Sequence, residues 1–184
     1  MGFKLETLIA DCQQAIQHDK PQEVITSIIA DAIADPESIF AEIGRPTKAA
    51  IEKIYVSDML TIVNVVWAPG MTLLPHNHNV WAVIGVYEGR EDNIFWRRVP
   101  GDEDGRIEAA GAKSISSGEV VSLGKSLIHS VTNPTDAFTC AIHVYGGDFF
   151  AMQRSEWEPL TLAERPYDIA RNLARFEKEN ARLQ

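Results

Sequence analysis

Positive charge is in short supply in this chain. Lys and Arg total 17 against 26 Asp and Glu, which leaves a formal net charge of −9 over 184 residues. A binder of phosphate backbones needs a concentrated cationic face, so nucleic acid is not an expected partner. Cysteine is scarcer still: Cys12 and Cys140 are the only two. They lie too far apart to read as a disulfide framework, and they suit a reducing cytoplasm. Long apolar runs are missing as well. Stretches such as 60–66 end far short of the ~20 residues a membrane span requires, so no membrane partner is expected. The opening MGFKLETLIADCQQ holds no uninterrupted apolar segment of the signal-peptide kind, and Glu6 stands where a myristoylation signal wants Ser or Thr. These features together predict a cytoplasmic location. What is present is ordinary globular material, 45% hydrophobic and 23% charged, enough to bury a core without staples. No internal repeat or low-complexity tract breaks the chain, and the expectation is one domain over 1–184.

Its texture changes along the length. Leu5, Leu8, Ile9, Cys12 and Ile16 recur at helical steps, as do Val24, Ile25, Ile28, Ile29 and Ala32 after Pro21. Asp35-Pro36-Glu37 reads as a cap opening a short helix that Gly44 ends. The flank 1–45 is therefore predicted helical. From about 49 to 150, short Val-, Ile-, Trp- and Phe-rich segments alternate with turn signals such as Pro69-Gly70, Glu88-Gly89 and Ser117-Gly118. Strands are predicted near 51–56, 60–67, 80–88, 93–98, 107–114, 119–123, 128–131 and 139–145. Eight strands without helix-length inserts indicate a mainly β sandwich or barrel. The extension 151–184 turns polar and is predicted to end in a helix over 167–183. There Ile169, Leu173 and Phe176 form a narrow stripe, lying on the outside of the barrel.

Four of the five histidines, His76, His78, His129 and His143, fall in this β region. His76 and His78 are two apart, so on an extended strand both rings leave the same face. Two converging imidazoles are half of a site for Zn, Fe, Cu or Ni. His129 opens a later β segment and could supply a third ligand.

The surroundings of these histidines carry a resemblance. Gly70, five residues, His76, Asn77, His78 and then Gly89 resemble the first motif of cupins; Gly118, five residues, Gly124, then His129, three residues and Asn133 resemble the second. The resemblance covers about 49–150 and implies a double-stranded β-helix, a jelly-roll barrel with a metal at its mouth. Many cupins add a metal-binding Glu after the second His; here those positions are Ala82 and Val83, which cannot ligate. A site of three neutral histidines leaves a divalent ion its full charge and favours an anionic co-ligand such as a thiolate.

Pro75-His76-Asn77-His78 leading into Trp81-Ala82-Val83-Ile84-Gly85, with His143-x-Tyr145 later, looks like the cysteine dioxygenase type of thiol dioxygenase. That resemblance implies Fe(II) held by His76, His78 and His129, with Zn or Ni as alternatives. It implies a small thiol, such as cysteine or 3-mercaptopropionate, oxidised by O2 to a sulfinic acid. It also places His143 and Tyr145 in a Ser-His-Tyr relay beside the metal. Residues 141, 143 and 145 share one strand face, which agrees with that placement. Three positions depart from the family. Ala141 stands for the relay Ser, Val83 stands where mammalian members carry a Cys that crosslinks to the Tyr, and no Arg occurs over 51–59 to hold a substrate carboxylate. Lys53 is the nearest cation there and is taken as the anchor, although Lys offers a point charge and not a two-pronged grip. Trp81, close to His78 in sequence, is taken as a pocket-lining residue. The run Glu88-Gly89-Arg90-Glu91-Asp92-Asn93 reads as a solvated hairpin, and one of Arg97 or Arg98 could turn inward to hold an anion. Two further readings stand beside the dioxygenase: a cupin that binds a metal or small ligand without turnover, and a zinc-dependent hydrolase.

Overall fold

The computed structural model describes residues 2–184. The helical flank forms as the periodicity predicts: α1 (Leu5–Ala15), α2 (Pro21–Ala32) and α3 (Pro36–Ile43). Pro21 and Pro36 open their helices, where a missing N–H leaves no bond unmade. The Asp35 carboxylate caps α3 by accepting the Ser38 N–H, and Gly44 ends the helix at φ +85.

The β region runs β1 (Ala50–Val56), β2 (Thr61–Trp67), β3 (Thr72–Asn77), β4 (Ala82–Glu88), β5 (Arg90–Arg98), β6 (Ile107–Ser116), β7 (Val120–Leu123), β8 (Ile128–Thr132) and β9 (Thr139–Tyr145). Beyond it come β10 (Ser155–Trp157), β11 (Glu164–Pro166) and α4 (Ile169–Arg182). One sheet has the order β1-β2-β9-β4-β7 and the other β11-β10-β3-β8-β5-β6, with every pairing antiparallel. Counted from β2 to β9 as eight strands, the sheets read 1-8-3-6 and 2-7-4-5. That order is two interlocked Greek keys, a jelly roll.

Three strands exceed the expected eight. β3 carries Pro75 at a register shift between Leu73 and His76, and this broken ladder hides it from a periodicity count. β10 and β11 are three residues each, too short to show a period. The run 88–93 is not a solvated hairpin. Gly89, at φ +75, is the corner where the chain leaves one sheet for the other, and a side chain there would collide with Thr139. Past that corner the strand alternates: Arg90 and Asp92 pair on the surface while Glu91 and Asn93 point inward, 0% and 1% exposed.

Two apolar layers share the first sheet. Val63, Val65, Trp67, Ile84, Val86, Ala141 and Tyr145 face the barrel interior. On the outer face Ile62, Val66, Val83, Tyr87, Cys140, Ile142 and Val144 pack under the helices, against Leu8, Ile25, Ile29 and Ile33. With both faces covered, β2 and β9 are buried at every residue, which is why they read as near-continuous apolar runs. Each such aliphatic side chain contributes about 1.5–3 kcal/mol when taken out of water. Burial also pushes both thiols up to about 12, so Cys12 and Cys140 act as small hydrophobes. α4 docks differently from its predicted stripe. Ile169 and Leu173 are 39% and 45% exposed, and the buried face is Asn172 and Phe176. Polar anchors choose that face: Asn172 donates to the Glu156 carboxylate, and Asn180 bonds both the N–H and the C=O of Ala49. Phe176 meets Trp67 at 5.7 Å between ring centroids, so α4 seals the interior cluster.

Candidate metal centre

Strand pairing assembles the site. His76 on β3 lies directly across from His129 on β8, and the two rings project into the barrel with centroids 4.7 Å apart. His78 follows just past the end of β3. The three imidazoles are buried, at 4%, 5% and 1% exposure. Their Nε2 atoms converge: His78 to His76 is 3.2 Å and His129 to His78 is 3.1 Å. Nitrogens bound at ~2.1 Å to one ion lie ~3.0 Å apart at a right angle and ~3.4 Å apart in a tetrahedron, and the observed separations fall between. The outer nitrogens of His76 and His129 are committed elsewhere. His76 Nδ1–H donates to the Leu74 carbonyl at 2.8 Å and His129 Nδ1–H donates to Asn93 Oδ1 at 2.8 Å. Those bonds fix the tautomer that bares both Nε2 lone pairs. Burial holds the His76 pKa down to about 4 and those of His78 and His129 well below the usual imidazole range, with the neighbouring rings adding to the effect at His78. Neutral, preoriented imidazoles are what a divalent transition metal requires, so this three-histidine group fits such an ion. Ala82 and Val83 are fully buried apolar residues, and no carboxylate joins the group among the described residues.

Aromatic and aliphatic side chains surround the three histidines. A cavity of about 20 Å³, room for roughly one water-sized body, is lined by the three histidines with His143, Tyr145, Phe149 and Tyr167. His143 Nδ1 and the Tyr145 hydroxyl are 2.9 Å apart, and the Tyr145 ring stands edge-on to His78. Burial pushes the Tyr145 phenol above its ordinary range, so it is a neutral hydroxyl. Phe149 stacks on Tyr145 at 4.0 Å.

Two charged residues here carry no sequence signal of their own. Arg154 is only 8% exposed, with its guanidinium 3.7 Å from the Phe149 centroid and 3.9 Å from that of Tyr167. Its Nε and Nη1 are buried without a hydrogen-bond partner among the described residues, and burial lowers its pKa from the ordinary value. It borders an outer groove of about 1090 Å³, and Tyr167 lines both that groove and the inner cavity. Glu91 is the other. Its Oε1 accepts the Trp67 indole N–H at 2.7 Å and lies 3.5 Å from His143 Nε2. A single Arg in a polar extension, and a Glu inside a charge run, look like solvated residues until the fold turns them inward.

The remaining predicted residues lie elsewhere. Lys53 is exposed on β1 with its ammonium 4.1 Å from the Phe150 ring centroid, and it does not line the cavity. Trp81 packs on the helix-covered side against Gly146, where a Cβ would come within 2.1 Å of the indole. Arg97 and Arg98 point outward into ion pairs with Glu108 and Glu164.

No protein-family model matches the chain. Among solved structures, it is similar to an RmlC-like cupin with a double-stranded β-helix fold from Methanocaldococcus jannaschii, at 12% identity and TM-score 0.47 over 57% of this chain and 85% of that one. A protein of Bacillus halodurans matches at 14% and TM-score 0.46, over 55% of this chain and 72% of that one. Oxalate decarboxylase of Bacillus subtilis, described with Mn(II) centres, matches at 20% and TM-score 0.40 over 50% of this chain, which spans 22% of that protein. The jelly roll rests on the strand order and the three-histidine group on its own geometry; both are independent of these likenesses.

Proposed function

We propose that this protein is a non-haem iron thiol dioxygenase acting on a small mercaptocarboxylate. In the overall reaction one thiol and one O2 give one sulfinic acid. The observation that carries the reading is the pairing of an all-neutral ligand set with a buried, unsatisfied guanidinium beside it. A divalent ion on three imidazoles keeps its double charge, and Arg154 adds another. Buried positive charge of this kind calls for an anionic guest. A thiolate and a carboxylate on one short molecule would answer both. Fe(II), when bound, would supply the redox chemistry that couples O2 to sulfur.

The chain's own residues do the rest. Arg154, whose Nε and Nη1 have no partner among the described residues, would take the carboxylate as a charge-assisted donor, from a location that Lys53 lacks. Phe149 and Tyr167 hold the guanidinium plane from its stacking faces. Tyr145, steadied by His143, would place one hydroxyl next to the histidine cluster. The apolar lining would exclude competing water.

Metal analysis of the purified chain, followed by O2 uptake with 3-mercaptopropionate, cysteine and cysteamine, tests the reading. Iron-dependent uptake matched one-to-one by sulfinate supports it. Zinc with hydrolysis of an ester or amide would favour a hydrolase, and bound metal without turnover of any thiol would favour a binding protein; either outcome overturns it.

A further inference from the structure

We infer that Glu91 is a positioning residue for the Tyr145–His143 pair, holding His143 as the tautomer protonated on Nε2. The inference rests on the thiol dioxygenase reading for its effect on turnover, but the arrangement itself stands on geometry.

His143 has two nitrogens and two neighbours. Nδ1 meets the Tyr145 hydroxyl at 2.9 Å. Nε2 faces Glu91 Oε1 at 3.5 Å, and among the described residues neither that buried nitrogen nor the buried Glu91 Oε2 has a hydrogen-bond partner. A buried ring nitrogen without a partner is costly, and a short closure of the gap to Oε1, which can accept a second hydrogen bond beside that of Trp67, satisfies it. Such contacts are often long before a ligand binds and tighten afterwards. Trp67 supplies the restraint. Its indole N–H donates to Glu91 Oε1 at 2.7 Å, which pins the carboxylate in place.

The backbone makes this placement deliberate in the physical sense. Glu91 and Asn93 are alternate residues of β5 and share its inward face. Asn93 Oδ1 takes the Nδ1–H of His129, so one strand face already orients a histidine of the triad. Glu91 does the same for His143, one step along. At residue 141, on the face that His143 and Tyr145 occupy, the chain has a fully buried Ala with no hydroxyl to offer. The orienting group for His143 therefore comes from the opposite sheet.

The consequence for Tyr145 is directional. With the ring proton on Nε2, Nδ1 is bare and accepts the Tyr145 O–H. The phenol oxygen then presents its lone pairs, and the tyrosine accepts a hydrogen bond from whatever enters the cavity. Loss of Glu91 would let the ring proton move to Nδ1 and reverse the bond.

Histidine 15N spectra of the metal-free, full-length protein read this directly. In the wild type, His143 Nε2 should appear protonated and Nδ1 unprotonated. Glu91→Leu should shift the ring toward the Nδ1–H form, whereas Glu91→Gln, whose amide oxygen can occupy the Oε1 place, should keep the original tautomer. Wild-type spectra with the proton on Nδ1 would overturn the assignment with no variant needed, so a failure of Glu91→Leu to fold does not shelter it. In the iron-loaded protein, Glu91→Leu should lower kcat roughly tenfold or more at unchanged iron content, with KM for the thiol little altered and Glu91→Gln restoring most of the rate. A changed tautomer with unchanged kcat would refute the positioning role. Absence of thiol oxidation in the wild type would instead refute the dioxygenase reading, leaving the spectra to decide Glu91.

Discussion

A guanidinium sandwiched between two aromatic rings, with two of its N–H groups facing no acceptor, is the most telling residue-level feature of this chain. Stacking keeps Arg154 planar and in place but leaves its hydrogen bonds unmade. Arg154→Ala should therefore raise KM for carboxylate-bearing thiols by about ten- to a hundredfold, the scale of a charge-assisted hydrogen bond of ~1.5–3 kcal/mol. Cysteamine, which has no carboxylate, should be nearly unaffected. Lys53→Ala should leave all three thiols as they were. Steady-state kinetics on the three substrates check this, and an equal loss for cysteamine would remove Arg154 as the carboxylate anchor. Tyr145 makes a second residue-scale test. Tyr145→Phe keeps the ring stacked on Phe149 and deletes only the hydroxyl held by His143. Turnover per iron should fall by about ten- to a hundredfold while iron content stays normal. Unchanged turnover would make Tyr145 a packed barrel tyrosine.

At the scale of elements, the contact between α2 and β4 is a tight constraint. Gly85 sits on the outer face of β4, and a Cβ built there would lie 2.3 Å from Ile29 Cγ2 and 3.3 Å from two atoms of Ile33. The helix rests directly on the strand's backbone. Gly85→Ala should destabilise the protein by about 1–3 kcal/mol through overpacking. Ile29→Ala costs about 2–5 kcal/mol of its own as a core truncation, but the double variant should lose less than the sum of the two single losses, because it removes the methyl that collides. Urea midpoints for the single and double variants measure both, and strict additivity would mean that the helix simply shifts aside. Metal content should not change, since the triad lies on the other sheet.

For the whole molecule, three buried imidazoles with lowered pKa values set the acid response. The unfolded chain binds protons at the ordinary histidine value of 6.5, whereas folded His76 resists until about 4. Between those values the unfolded state carries more protons, so stability falls as pH drops below about 6.5. From pH 7.5 to 5, His76 alone should remove about 2 kcal/mol from the metal-free protein, with His78 and His129 acting in the same direction. Carboxylates held low by their partners, such as Asp92 and Glu164, act only as pH approaches their ordinary 3.8 and 4.5, below this window. Urea unfolding in chelator at pH 7.5, 6 and 5 tests the slope, and a flat profile above pH 5 would show that the triad is solvated. Added metal competes with protons for the same lone pairs, so a loaded sample should be more stable at pH 7.5 and should lose that extra stability on acidification.

Local patterns determined a good deal by themselves. The three N-terminal helices followed from apolar stripes, with proline opening α2 and aspartate and proline opening α3, because helix periodicity and capping depend on neighbours in the chain. The β character of the middle followed from strand-length apolar segments and turn residues, and the His76, His78 and His129 grouping followed from spacing together with a motif resemblance. Only the tertiary structure decided which charged residues turn inward. Strand alternation sends Glu91 and Asn93 to the interior while Arg90 and Asp92 stay outside, and register at the Gly89 corner selects which pair it is. Arg154 reaches the site because β10 pairs with β3, Glu156 against His76, a contact 80 positions apart in sequence and set by no local pattern. Trp81, adjacent to the histidine motif in the chain, faces the helices instead. Ligands two residues apart can be read from the period of a strand, whereas the groups that orient them and hold a guest come from other strands, whose register is fixed only when the two sheets close.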